Sequence, residues 1–125
     1  MTKYSDILIA YQSATNYPDL VAKLIHLGIQ SYTVDVVTET VLYRLADGEN
    51  IMHNGNSMRD VEVSYNEKNT IQAIRNTQEG KSNYTTFLDQ IAKAGIRFYE
   101  ATLIGNKKRV TYIASGGFYQ EMIPQ

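Results

Sequence analysis

Apolar residues recur along this chain in two rhythms, three to four residues apart and then two apart, and the change of rhythm happens twice. Leu20, Val21, Leu24 and Leu27 fall at helical spacing, with Asp19, Lys23 and His26 on the opposite arc. Gly28 follows, and beyond it Tyr32, Val34 and Val36 alternate with Thr33 and Asp35, the period of a strand with one buried face. Further along, Phe87, Leu88, Ile91 and Ala94 repeat the helical stripe, Gly95 repeats the stop, and Tyr99, Ala101 and Leu103 repeat the alternation.

The two stretches are copies of one unit. Asn16 to Tyr32 aligned with Asn83 to Tyr99 at an offset of 67 gives five identities in seventeen positions. Average composition would give about one. Each shared residue has a structural reading. Asn16 and Asn83 are predicted helix N-caps, accepting from free N–H groups of the first turn, and Pro18 suits a first turn that needs no N–H. Gly28 and Gly95 are predicted C-terminal stops in the left-handed conformation. Return strands are expected at Val41, Tyr43 and Leu45 and at Val110, Tyr112 and Ala114. A preceding helix is expected over Tyr4 to Ala14 in the first copy and over Glu67 to Gln78 in the second, and a last strand over Val61 to Tyr65 and over Phe118 to Ile123.

The fold class so predicted is α+β: two tandem α-α-β-β-β repeats, residues 1–66 and 67–125, in a single domain spanning 1–125. The strands form antiparallel sheet with the helices packed on one face. Tyr32, Tyr43, Tyr99 and Tyr112 alternate in phase with the valines and are assigned to the buried face, whereas Tyr65 and Tyr119 are read as outer tyrosines. The copies differ most at an excursion from Met52 to Asp60 and at a basic second hairpin turn. Loops added to a repeated scaffold are common places for function.

The run Tyr17 to Val36 resembles the first half of the YbcV-like bacterial family. The stretch from Glu79-Gly80-Lys81 through Phe87 and Ala94-Gly95-Ile96 to Met122-Ile123-Pro124 is similar to that family's second half. The resemblance covers nearly the whole chain. It implies the fold already read from the repeat and no activity, because the family is of unknown function. Some members carry the label "phage envelope protein", and no site residues carry over. Thr102 stands where the first copy has Asp35, and the basic turn is a second departure.

Composition narrows the chemistry. With 43% hydrophobic and 20% charged residues the chain is an ordinary globular one, not a disordered one. It has no cysteine, which removes disulfides, thiolate nucleophiles and thiolate metal sites. No apolar run is long enough to span a membrane, nothing at the N-terminus reads as a signal peptide, and a cytoplasmic setting is expected. Twelve basic against thirteen acidic residues leave a net charge of -1, which disfavours nucleic acid as a partner.

Two sites are candidates. His53, in the excursion with Asp60 nearby in sequence, could act as a ligand-binding residue or as a base oriented by a carboxylate. Lys107, Lys108 and Arg109 form a basic patch on a hairpin that could meet a phosphate backbone. No nucleophile elbow, catalytic triad or spaced histidine pair is present, so no catalytic residue, metal or cofactor is assigned. The expectation is a binding or protein-interaction domain rather than an enzyme, with a homodimer or a partner protein as its target. A small-molecule site or small enzyme at His53 and Asp60 is the alternative, and a weak nucleic-acid binder using the basic turn is the second.

Overall fold

The computed structural model describes residues 1–124. Its first copy opens with two helices, α1 (Tyr4–Ser13) and α2 (Tyr17–His26), followed by strands β1 (Ile29–Asp35), β2 (Val41–Leu45) and β3 (Asn50–His53). The second has α3 (Glu67–Gln78) and α4 (Tyr84–Lys93), then β4 (Ile96–Thr102), β5 (Arg109–Ala114) and β6 (Gly117–Met122). All six strands join one antiparallel sheet in the order β3-β2-β1-β4-β5-β6. The α+β class and the twice-repeated order of helices and strands are as the sequence predicts.

The caps and stops are built as expected. Asn16 and Asn83 side chains accept from the backbone N–H groups of Asp19 and Thr86, each at 2.8 Å. Gly28 and Gly95 follow the helices with φ of 91° and 93°. Asn66 caps α3 in the same way, accepting from Asn69 at 2.9 Å.

The copies meet at the middle of the sheet. β1 pairs with β4 so that Tyr32 lies opposite Ala101 and Val34 opposite Tyr99. Those two pairs exchange under the repeat, and the pair Thr33 and Glu100 maps onto itself, so a pseudo-twofold axis runs through it. Each strand carries a bulge just after its first residue, between Ile29 and Ser31 and between Ile96 and Phe98. The bulge carbonyls of Gln30 and Arg97 accept from Leu103 (2.9 Å) and Val36 (3.0 Å), closing both ends of the central pair symmetrically. A bulge bends and twists its strand, and here the same bend occurs on both sides of the axis.

One core fills the space between helices and sheet. Ile7, Leu24, Leu88 and Ile91 come from the helices and Ile29, Ile96 and Leu103 from the sheet, all almost wholly buried. Among the described residues no second layer of structure covers the opposite sheet face.

Two expectations are corrected. The third strand of the first copy is Asn50–His53, and residues 61–65 form no strand. Val61 and Tyr65 do alternate inward, packing on the core around an exposed Val63, but from a crossing segment with no ladder partner. That segment must carry the chain from β3 at one edge of the sheet to α3 at the other. On the way its backbone is tied to the β1–β2 turn (Ser57 to Thr38, Arg59 to Val37) and to the end of α4 (Glu62 to Ala92, Asn66 to Ala94). The excursion lacks a counterpart in the second copy because it is this crossing. Tyr65 and Tyr119 are likewise not outer residues: both pack against the core from the helix side.

Candidate functional site

Three regions carry the side chains that could do chemistry or bind. The first is the seam between the two copies beneath the helices, where phenols converge. Tyr17 opens α2 and its hydroxyl lies 2.7 Å from that of Tyr32 on β1; Tyr84 opens α4 and lies 3.4 Å from Tyr99 on β4. The Tyr43 hydroxyl donates to that of Tyr11 at 3.3 Å. Rings also meet across paired strands, Tyr32 with Tyr43 and Tyr99 with Tyr112, at centroid distances of 5.6 and 5.2 Å and tilted by 41° and 37°. Burial pushes the phenols of Tyr32, Tyr99 and Tyr112 far up from their ordinary value, and neighbouring tyrosines add to the shift. For Tyr17 and Tyr43 burial is again the main cause, and both are pushed up to about 12 although their hydroxyl partners oppose it. Tyr11 keeps 43% of its surface exposed, yet burial at its hydroxyl end raises it too. At neutral pH the seam is therefore an array of uncharged phenols, each able to donate and accept. It has no ionised base, and what it supplies is a polar seam inside an apolar core.

The second region holds the residues singled out from the sequence. His53 ends β3, is exposed, and stacks on Tyr4 of α1 at 4.5 Å with the planes 6° apart. Asp60 is exposed farther along the crossing segment, and among the described residues no hydrogen bond or ion pair joins it to His53. Between them the buried role falls to a residue that local spacing did not flag. Arg59, with 12% of its side chain exposed, donates to Asp89 of α4 (2.8 Å), to Glu39 (3.1 Å) and to the Val36 carbonyl (2.9 Å). Its partners are distant in sequence, so no motif could have marked it.

Lys107, Lys108 and Arg109 stand at the β4–β5 turn, where Arg109 folds back to donate to the Lys107 carbonyl at 2.9 Å. The tyrosines that could have stacked bases beside this patch lie under the helices. His26 lines a shallow groove of about 360 Å³ between α1 and α2, together with Asp6, Asp19 and Lys23. Among the described residues no group of three or more His, Asp and Glu gathers as metal ligands would.

The third region is the bare sheet face, which the sequence reading passed over. The pleat that buries Tyr99, Tyr112 and Val110 turns Phe98, Ile113 and Phe118 outward. Register places these three side by side across β4, β5 and β6. Phe98 is 39% exposed, Phe118 61%, and Met122, four residues farther along β6 on the same face, is 54% exposed. Beside them Asp35 and Glu100 bring negative charge and Arg44 and Arg109 positive charge, so the face is mixed in charge around an apolar strip. The signal was present in the sequence as the second phase of each strand, Phe98 and Phe118 out of step with the buried tyrosines.

Comparison with known proteins adds a family but no chemistry. A family model described as "Protein of unknown function (DUF1398)" matches residues 6–119. Among curated proteins none matches this chain.

Proposed function

The chain belongs to the DUF1398 family, and on that premise we propose that it is a protein-interaction domain whose bare sheet face takes a partner protein. The observation that carries this reading is the row of exposed Phe98 and Phe118 on either side of half-buried Ile113, on a face that no layer of the described residues covers. An antiparallel sheet with one side in water ordinarily turns polar residues outward. A contiguous apolar strip rimmed by charge is the composition of a binding surface. We assign it to the YbcV-like branch of the family on the residues quoted above. The cytoplasm remains the proposed setting, since a chain without cysteine uses nothing that an oxidising compartment supplies.

Protein is favoured over nucleic acid by the charges beside the strip. Glu100 on the pseudo-twofold axis and Asp35 next to Phe98 would repel a phosphate backbone laid across the aromatic residues.

The test is a photo-reactive phenylalanine analogue placed at Phe98 or Ile113 in the producing cell. The expected result is a discrete adduct with a protein from both positions, lost on Phe98→Arg in the Ile113 experiment, while the same analogue at Ile25 on α2 gives none. Equal labelling at all three positions, or none at the sheet, overturns the reading. Salt-sensitive binding of single-stranded RNA that disappears when Lys107, Lys108 and Arg109 are neutralised would replace it with the nucleic-acid reading.

A further inference from the structure

The two edges of the sheet are unlike. β3 is four residues long, and the chain leaves it to run along the β1–β2 turn. β6 has six residues, 117–122, with no proline, lysine or bulge in it, and its one charged side chain, Glu121, is held on the helix side by Arg75 and Gln78 of α3.

Which backbone groups of β6 are free follows from the ladder. The Ile123 N–H donates to the Lys108 carbonyl at 2.9 Å, and the register runs on from there through Arg109 opposite Met122 to Ala114 opposite Gly117. In an antiparallel pair, successive residues point their N–H and C=O alternately toward and away from the partner strand. The odd-numbered residues of β6 therefore bond to β5, and Phe118, Gln120 and Met122 present both groups to the open edge.

We propose that β6 is a homodimerisation edge: two copies pair β6 to β6, antiparallel, with Gln120 opposite Gln120 on the twofold axis. This register sets Phe118 opposite Met122 of the second copy, twice, and so uses all three outward-facing residues of each strand, for six backbone hydrogen bonds. The side chains select the same register independently. On the bare face an aromatic meets a thioether, and an amide meets an amide at the axis. On the helix side Tyr119 comes opposite Glu121 of the second copy, whose carboxylate already accepts from a tyrosine hydroxyl, at 2.6 Å within one chain. Moving each strand one residue toward its C-terminus would oppose Glu121 to Glu121. Moving it the other way would set Phe118 against Gln120 and leave fewer bonds. The product is one continuous sheet of twelve strands, two copies of six, with the apolar strips of both copies merged.

This inference rests on the interaction reading and names one partner, a second copy of this chain. Sedimentation equilibrium of the full chain should give a dimer at micromolar concentrations. Gln120→Pro removes an N–H that bonds to nothing among the described residues and blocks the edge, so a folded monomer is expected. Gln120→Lys, which keeps the backbone and opposes two charges at the axis, should also give a monomer, and it stands in should the proline variant fail to fold. In a chain without cysteine, Gln120→Cys should yield a disulfide-linked dimer under mild oxidation, and Asn50→Cys on β3 should not. A wild-type monomer, or a dimer indifferent to both Gln120 changes, overturns the proposal. A monomer that still gives a partner adduct from Phe98 sinks the dimer alone, whereas loss of both results sinks the interaction reading as well.

Discussion

Gly28 and Gly95 hold the same place in the two copies, yet the structure separates what each is for. Both have φ near +90°, where a side chain costs about 1–2 kcal/mol. At Gly28 an added Cβ meets nothing within 4 Å, whereas at Gly95 it would lie 2.6 Å from the Ser64 carbonyl oxygen. Gly28→Ala should therefore cost only the strain, and Gly95→Ala a further ~1–3 kcal/mol from overpacking; urea unfolding of the two variants measures the difference. The phenols offer a second comparison. Tyr32 is 3% exposed and its hydroxyl bonds to Tyr17. Tyr17→Phe leaves that buried hydroxyl without its partner, at about 1–3 kcal/mol. The double change Tyr17→Phe and Tyr32→Phe should recover part of the loss, and equal stability of single and double variants would refute the pairing.

The crossing segment between β3 and α3 is the element that makes two copies into one molecule. Arg59 ties it down at the β1–β2 turn and α4, and Gly55 lets it lie close, since a Cβ there would fall 2.0 Å from the Thr38 carbonyl oxygen. Arg59→Met keeps the side-chain bulk and removes the bonds to Glu39, Asp89 and the buried Val36 carbonyl. We expect a loss of about 1–3 kcal/mol, with the amides of Gly55, Ser57 and Arg59 exchanging faster before those of the sheet interior. Uniform exchange across segment and sheet would show that Arg59 stabilises the fold as a whole instead.

For the whole molecule the tyrosine seam sets an alkaline limit. Its phenols are raised in the folded state above the ordinary value of 10.0, to about 12 at Tyr17 and Tyr43. A raised folded value means the folded chain holds protons the unfolded chain releases. The stabilisation is thus complete below pH about 10 and declines as the pH rises from there toward 12. Phenolate absorbance should lag behind that of free tyrosine and then rise together with the loss of helical circular dichroism. A gradual titration of all ten tyrosines with helicity intact would contradict the buried seam.

The sequence by itself determined the repeat, its caps and stops, four of its helices' positions and the inward phase of Tyr32, Tyr43, Tyr99 and Tyr112. These rest on contacts within a turn or on the period of one strand, which neighbouring residues carry. It misplaced the third strand of the first copy because Val61 and Tyr65 alternate inward as a strand would, and only a ladder partner distinguishes the two. It could not reveal Arg59, whose partners Glu39 and Asp89 lie 20 and 30 residues away. Nor could it say which outward-facing residues of different strands would come to lie side by side. Tertiary structure decided that, by joining β1 to β4 at the axis and laying every helix on one side. The same outward phase that reads as solvent-facing in a single strand became, across β4, β5 and β6, an apolar surface.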